Sequence, residues 1–408
     1  MPEKLKMGLI GCGGMCGAHI GGYRNLWKAD LKLFDIVAAC DIEEGRAQTR
    51  ANEAHEFQGG TKPAVYKDVE TMLDKHPDLD CVDICTLHRA HHTTAVPCLE
   101  ADKHVIIEKP MAITMRACRV MLNAAEKSGK VLSVAENYRL SPHERARRWA
   151  IQQGRIGDLR MIFWIDVGEG LGKWGWRNFK ADAGGGWTLD GGVHFADLMR
   201  FSTGLEAEEL YAVSKAYEPY RYDNPAKREG GYKVTVEDAT ISVIKFENGV
   251  TGQWTWVGSA PGQGFGRRTF YGSEGCIDLS GGLFPRGGEN VNNDALYNEF
   301  IQSISEEEKE YYFPRGVTDT VAIELKYFAD AIHAGGKPMV AEVAKTSGES
   351  VRHFPPHDFV DGIEGMKSQA ICMAVFESSW HGRAVTLKEI ENCELEGYQK
   401  EINDSLGL

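Results

Sequence analysis

Residues 6–19 read KMGLIGCGGMCGAH, and residues 34–41 read FDIVAACD. The first stretch is a short apolar run that ends in glycines and opens into a helix-like segment. The second is another apolar run that ends on Asp41. In G-x-G-x-x-G the first glycine makes the tight turn, and the second lets backbone approach a pyrophosphate. The third allows close helix–strand packing. Gly11 and Gly13 hold the first two positions here, with Gly14 and Met15 at the predicted helix start. Cys16 stands at the third position, with Gly17 beside it. An acid at the end of the second strand hydrogen-bonds ribose hydroxyls and repels a 2′-phosphate. Strand, glycine loop, helix, strand and terminal Asp41 together predict dinucleotide binding, with NAD as the cofactor.

The same alternation continues outward from this unit. Apolar runs recur at 81–87, 104–110 and 131–137, with amphipathic segments at 43–56, 66–75, 91–102 and 114–128. Strands alternating with helices imply crossovers and a parallel sheet, buried on both faces. After Tyr138 the pattern changes. A helix-like stretch at 143–153 precedes strand-like segments at 159–169, 209–217, 238–247, 250–259 and 267–273. Thr240, Ser242, Ile244 and Phe246 alternate with their neighbours, as in a sheet with one face on helices. Asn248-Gly249 is a hairpin signal. Segment 281–316 is Gly-, Asn- and Glu-rich and is expected to include a long excursion, and helical patterns return at 320–334 and 365–381. The predicted fold class is α/β followed by α+β, with a dinucleotide-binding domain over 1–137 and a substrate-binding α/β domain over 138–408.

Length and composition agree with a soluble multidomain protein: 408 residues, 42% hydrophobic and 26% charged. A net charge of −13 argues against nucleic acid or an anionic membrane as partner. No apolar run reaches bilayer length, and the N-terminus lacks a signal-peptide pattern, so the cytoplasm is the expected location. Ten cysteines occur without a CxxC pair, mostly in apolar strand-like contexts, and read as reduced structural thiols.

The chemistry is concentrated in GGGWTLDGGVHFAD (184–197). Asp190 and His194 are four residues apart, which on one helix puts both on the same face, about 6 Å apart along the axis. An anion beside an imidazole suits proton transfer. Gly191 and Gly192 between them are costly in a helix, by about 1 kcal/mol each relative to alanine. They suggest close approach of backbone to a ligand.

Several separated motifs occur together: GCGG (11–14), Asp41, His91 before a helix, KHVIIEKP (103–110), ENYRLSP (136–142), GRIGDLR (154–160), the GGG-x-x-x-D-x-x-x-H stretch (184–194), FENG (246–249) and YGSEG (271–275). In this order and spacing the chain resembles the glucose–fructose oxidoreductase / inositol dehydrogenase / MocA family over roughly residues 6–387. The resemblance implies a Rossmann domain followed by a large open-faced, mostly antiparallel sheet flanked by helices. It also implies assembly through that sheet as a homo-oligomer, a dimer or tetramer. Carried over onto this chain, it places Lys109, Asp190 and His194 in the catalytic site. Thr86, His88, His91, Glu108 and Lys109 fall near the cofactor. The family's frequent Thr-Pro-Asn is Thr86-Leu87-His88 here, a departure at the cofactor's edge.

Loss of a hydroxyl proton as hydride leaves carbon builds alkoxide character, which a lysine ammonium stabilises. His194 suits the proton acceptor, and Asp190 suits orienting His194 or holding a neighbouring sugar hydroxyl. Whether Lys109 or His194 is the final base stays open. Tyr138, Trp174, Trp176 and Trp187 suit stacking on a sugar face, and Arg139, Arg177 and Asn137 suit its hydroxyls. GKWGWRNF (172–179) is the predicted substrate loop. His88, His91 and His92 lie within five residues, but no matching carboxylate or cysteine follows and Arg89 opposes a cation. No metal is predicted there or at His353 and His357. The leading expectation is an NAD-dependent dehydrogenase of a sugar, glycoside or cyclitol hydroxyl. Two alternatives are a glycosidase-like enzyme that uses tightly held NAD transiently and a non-catalytic sugar- or NAD-sensing regulator.

Overall fold

The glycine loop feeds directly into a parallel sheet. In the computed structural model, which describes residues 3–335 and 358–408, the first half runs β1 (Leu5–Ile10), α1 (Gly14–Lys28), β2 (Phe34–Cys40), α2 (Glu44–Gln58), β3 (Ala64–Tyr66), α3 (Val69–Lys75), β4 (Cys81–Ile84), α4 (His91–Glu100), β5 (His104–Glu108), α5 (Met115–Ser128) and β6 (Leu132–Ala135). The strand order is β3-β2-β1-β4-β5-β6, every pair parallel. This is the doubly wound order, whose switch point lies between β1 and β4. Strand β3 goes beyond the sequence reading, which has no strand between 43–56 and 66–75. Three residues paired only to β2 are too short to show a period.

The second half runs α6 (Pro142–Gln152), β7 (Leu159–Val167), α7 (Lys180–Ala183), α8 (Trp187–Asp190), α9 (Gly192–Thr203), β8 (Ala207–Lys215), β9 (Tyr220–Arg221), β10 (Tyr232–Lys233), β11 (Ala239–Phe246), β12 (Thr251–Val257), β13 (Phe265–Gly272), β14 (Gly275–Asp278) and β15 (Gly282–Pro285). Then follow α10 (Asn293–Ser303), α11 (Glu306–Tyr312), α12 (Thr320–His333), α13 (Gly362–His381), β16 (Val385–Thr386), α14 (Leu387–Glu391) and α15 (Lys400–Leu406). The large sheet is ordered β15-β14-β13-β7-β12-β11-β8-β16 and is antiparallel except between β12 and β7. Segment 281–316 is therefore no loose excursion: it supplies an edge strand and two short helices. Gly287 sits at a turn at φ +70° and Gly282 opens β15 at φ +102°, so composition obscured the elements between them.

Strand β11 alternates as its sequence predicts, with an inversion of polarity. Thr240, Ser242, Ile244 and Phe246 are buried, while Ile241 and Val243 are exposed. The inward hydroxyls are satisfied: Thr240 Oγ1 bonds Thr188 Oγ1 at 2.8 Å, and Ser242 donates to the Trp254 carbonyl at 2.8 Å. The outward face carries Met161, Tyr211, Val213, Ile241 and Val243. Val213 pairs with Ile241 and Tyr211 with Val243, so these apolar side chains adjoin. The inward face packs Trp164 against Phe195 of α9 and Trp254 beneath Gly192 of α9, while β8 packs on α13. The Asn-Gly hairpin forms as read, with Asn248 at φ 58° and Gly249 at φ 74°.

The C-terminal segment returns to the first domain. Helix α12 packs on α1, and α13 on α5. Gln399 accepts the Met115 N–H at 2.7 Å, and Arg89 donates to Ser405 Oγ at 3.2 Å.

Asp190 and His194 do not share one helix. Asp190 ends α8 and His194 lies in the first turn of α9, with Gly191 between as the α9 N-cap. The two glycines serve core packing. A Cβ on Gly191 would meet the Trp187 ring at 2.7 Å, and one on Gly192 the Trp254 ring at 2.5 Å. Gly192→Ala is expected to destabilise the fold by about 1–3 kcal/mol. Gly21→Ala in α1, where a Cβ meets open space, is expected to stabilise it by about 0.4–1 kcal/mol. Urea unfolding of both variants checks the opposite signs.

Candidate active site

Four loops leave the carboxyl ends of adjacent parallel strands on one edge of the sheet: the glycine loop after β1, Thr86–Ala90 after β4, Lys109–Pro110 after β5 and Glu136–Arg139 after β6. In open α/β sheets this edge is where ligands bind.

The glycine loop fits a dinucleotide. Gly11 sits at φ +81°, where a Cβ would strike the Cys85 carbonyl at 2.8 Å. Only glycine lets β1 and β4 approach so closely there. A Cβ on Gly13 or Gly14 meets nothing within 4 Å, so the loop presents an open backbone cradle. Beyond it α1 starts with no acidic residue in its first turn and Met15 exposed, an N-terminus suited to a phosphate. Asp41 accepts the Cys12 N–H at 2.7 Å and the Glu43 N–H at 2.8 Å, which joins the end of β2 to the loop. Arg50 donates to the Cys12 and Gly13 carbonyls from below at 3.3 and 3.2 Å.

Lys109 follows β5 in a turn whose Lys109–Pro110 peptide is cis. The turn is fixed from beneath. His19 of α1 bridges Asp83 at 2.9 Å and Glu108 at 3.0 Å, and Tyr23 donates to Asp83 at 2.9 Å. Burial works against charge on His19, but Asp83 and Glu108 outweigh it and raise the imidazole. Burial would likewise raise Glu108, yet the bond from His19 and its charge hold the carboxyl below its usual range. His19, Asp83 and Cys85 are the one close His/Cys/Asp grouping among the described residues, and they bond one another. His91 is fully buried; Nδ1 meets the Pro110 carbonyl at 2.9 Å and Nε2 the Thr86 carbonyl at 3.2 Å. Burial lowers its imidazole to about 4. It braces the Thr86 loop against the lysine turn rather than facing a ligand.

Asp190 receives groups from both domains. Lys109 Nζ donates to its carbonyl at 2.9 Å and lies 3.8 Å from Oδ2. His88 Nε2 is 3.1 Å from Oδ1, and Arg177 Nε donates to Oδ1 at 2.9 Å. Burial alone would raise the Asp190 carboxyl, but the His88 bond and the Lys109 and Arg177 charges hold it well below the carboxylate range. Helix α8 is capped by buried Glu237, whose carboxylate accepts the Gly186 and Thr188 N–H groups at 2.7 and 3.0 Å. The triple glycine before it is crowded. Cβ atoms on Gly184, Gly185 and Gly186 would meet the Ile113 carbonyl at 2.6 Å, the Phe376 ring at 2.5 Å and the Glu237 carbonyl at 2.8 Å.

His194 is bonded through Nδ1 to Glu136, and the Tyr138 ring stacks on it at 3.8 Å and 2°. Arg177 lies over the rings of Trp176 at 4.4 Å and Trp174 at 5.3 Å, and Trp176 meets His88 edge-on at 4.7 Å. Tyr138, Trp176 and Arg177 thus stand around Asp190 and His194. Arg139 does not: it is fully buried with Nε on Asp197 at 2.9 Å, a core ion pair that no substrate touches. Asn137 donates to Thr320 Oγ1 at 2.9 Å. His353 and His357 lie outside the described residues. Glu136, His19 and Glu237 were missed by the sequence reading. Only Glu136 carried a usable signal, as a carboxylate ending a parallel strand.

Comparison with known proteins matches this fold. Residues 5–136 match the model of an oxidoreductase family with an NAD-binding Rossmann fold, and residues 144–278 match the GFO/IDH/MocA C-terminal domain. The chain is 34% identical over 181 residues to 1,5-anhydro-D-fructose reductase of Ensifer adhaerens, covering 44% of this chain and 50% of that protein. It is 23% identical over 340 residues to myo-inositol 2-dehydrogenase of Thermotoga maritima, covering 83% and 91%. The structure of levoglucosan dehydrogenase in complex with NADH superposes with a TM-score of 0.72 at 25% identity, covering 94% of this chain and 99% of that one. Asp41→Asn is expected to narrow the preference for NAD over NADP by roughly tenfold or more through lost charge repulsion; dissociation constants for both dinucleotides check it. With both halves of its architecture matched, the chain belongs to the Gfo/Idh/MocA family of NAD-binding oxidoreductases.

Proposed function

We propose that the protein oxidises a secondary hydroxyl of a sugar, glycoside or cyclitol with NAD, and that Lys109, His194 and Asp190 form its acid–base site. The observation that carries this reading is the meeting of Lys109 and Asp190 beside the glycine cradle, with His194 one turn further along. The names of its relatives, a fructose-derivative reductase, an inositol dehydrogenase and a levoglucosan dehydrogenase, support a polyhydroxylated ring as substrate. Bound NAD supplies the hydride acceptor, on the loop formed by Gly11, Gly13 and Gly14 and on Asp41. Lys109, held by Asp190, offers its remaining N–H groups to the reacting oxygen as negative charge develops there. His194 takes the hydroxyl proton as the C–H electron pair leaves, so the alcohol becomes a carbonyl. Tyr138 and Trp176 offer ring faces to the substrate, and Arg177 the free edge of its half-buried guanidinium.

His194→Ala is expected to lower turnover by roughly 10²–10⁴-fold while sparing NAD affinity; unchanged turnover rejects the role of His194. A panel of sugars, glycosides and inositols, assayed for net NADH against released aglycone, separates a dehydrogenase from the glycosidase-like alternative. A regulator would bind without either product.

The outward apolar face of the large sheet supports a homo-oligomer, a dimer or tetramer, joined through Tyr211, Val213, Ile241 and Val243. Ile241→Glu together with Val243→Glu is expected to reduce the assembly to smaller species in light scattering, with the fold intact by circular dichroism. No helix among the described residues is long and apolar enough to cross a membrane. The ten free cysteines support a reducing compartment, the cytoplasm.

A further inference from the structure

We infer that Glu136 is the positioning residue of His194: it holds the imidazole with its proton on Nδ1, so that Nε2 is the basic nitrogen. The inference rests on the hydride-transfer reading and adds a residue to its site. Asp190 is the neighbour expected to orient His194 from their spacing, but its carboxylate is taken by His88, Arg177 and Lys109. The group on His194 Nδ1 is Glu136 Oε1. Glu136 follows β6 directly, so the sheet itself sets its position. Its side chain is 1% exposed and that of His194 9%, so water competes little for the bond. Tyr138, two residues along the same loop, lies flat on the imidazole. One loop thus fixes the ring both at its edge and on its face. Nε2 has no protein partner among the described residues.

A carboxylate only accepts hydrogen bonds, so an ionised Glu136 requires a proton on Nδ1 and leaves the lone pair on Nε2. When the substrate O–H bond breaks, its proton goes to Nε2, and the imidazolium formed is stabilised by the carboxylate behind it. The surroundings bear on this exchange. His194 is faced by Lys109 and Glu108 from the β5 turn, by Asp190 at the end of α8 and by Asp197 from its own helix. Glu136 is faced by Asp197, Lys109, Arg139 and Glu108, and Glu324 of α12 senses it. Burial pushes the Glu136 carboxyl up and the His194 imidazole down, while the charges of Lys109 and Arg139 work to keep Glu136 ionised.

The test uses Glu136→Gln and Glu136→Asp in the full chain. In the wild-type protein without cofactor, ¹⁵N-histidine NMR is expected to show His194 with Nδ1 protonated and Nε2 bare at neutral pH. Glu136→Gln is expected to move those signals toward the opposite tautomer, because a side-chain amide is able to donate to Nδ1. The same variant is expected to lose roughly 10²–10⁴-fold in kcat with NAD affinity within about twofold. Its acid limb is expected to shift to lower pH, since an imidazole without its anion is less basic. Glu136→Asp, which keeps the charge, is expected to recover part of the rate and the wild-type tautomer. A wild-type His194 protonated at Nε2, or a Glu136→Gln protein with unchanged tautomer and pH profile, overturns the proposal even if its rate falls. The tautomer measurement needs no turnover. Failure of His194 as the base, seen as full activity in His194→Ala, is therefore distinguishable from failure of Glu136 as its positioner.

Discussion

The carboxylate of Asp190 sits where the two domains meet, and donors reach it from both. Lys109 and His88 come from loops of the parallel sheet, and Arg177 comes from the loop before α7. Removing one member of a buried charged cluster leaves the others uncompensated, at a cost of about 3–5 kcal/mol. Their mutual neutralisation allows this much charge to be buried beside a cofactor loop. It also fixes the relative placement of the lysine turn and the α8–α9 segment, on which any hydride-transfer geometry depends.

Beneath that contact lies a second, buried layer. His19 and Tyr23 hold Asp83 and Glu108, and Glu237 caps the helix that carries Asp190. Each charged or polar group has a partner on a different strand or helix. Side chains so restrained are pre-organised, and little reorganisation is left for the moment of reaction.

Much of this was legible in the sequence because it is local. The glycine loop, Asp41 and Glu108-Lys109-Pro110 follow from strand ends and turn chemistry, which few residues encode. What was not legible is non-local. The spacing of Asp190 and His194 suggested a pair on one helix, but a break at Gly191 separates them and each takes a partner distant in sequence. Gly191 and Gly192 looked like a ligand approach, yet the tryptophans that require them lie partly on β12. Arg139 is polar and follows Tyr138, but Asp197, 58 residues away, draws it into the core. Strand β11 shows the same limit: its alternation was plain, while the polarity of its faces depended on Thr188 and on a sheet face left open.

The glycines divide the site into a rigid wall and a tunable one. At Gly184, Gly185, Gly186, Gly191 and Gly192 any side chain collides with backbone or an aromatic ring. At Gly172, ahead of Trp174, the space is open, whereas Gly175, between Trp174 and Trp176, has open space but a left-handed backbone at φ +63° that favours glycine. On the proposed reading, change in substrate preference falls to the side chains of the 172–179 loop rather than to the glycine-rich segment. The segment bearing Asp190 and His194 tolerates almost no change of shape, so the proposed chemistry would be insulated from changes in what it acts upon.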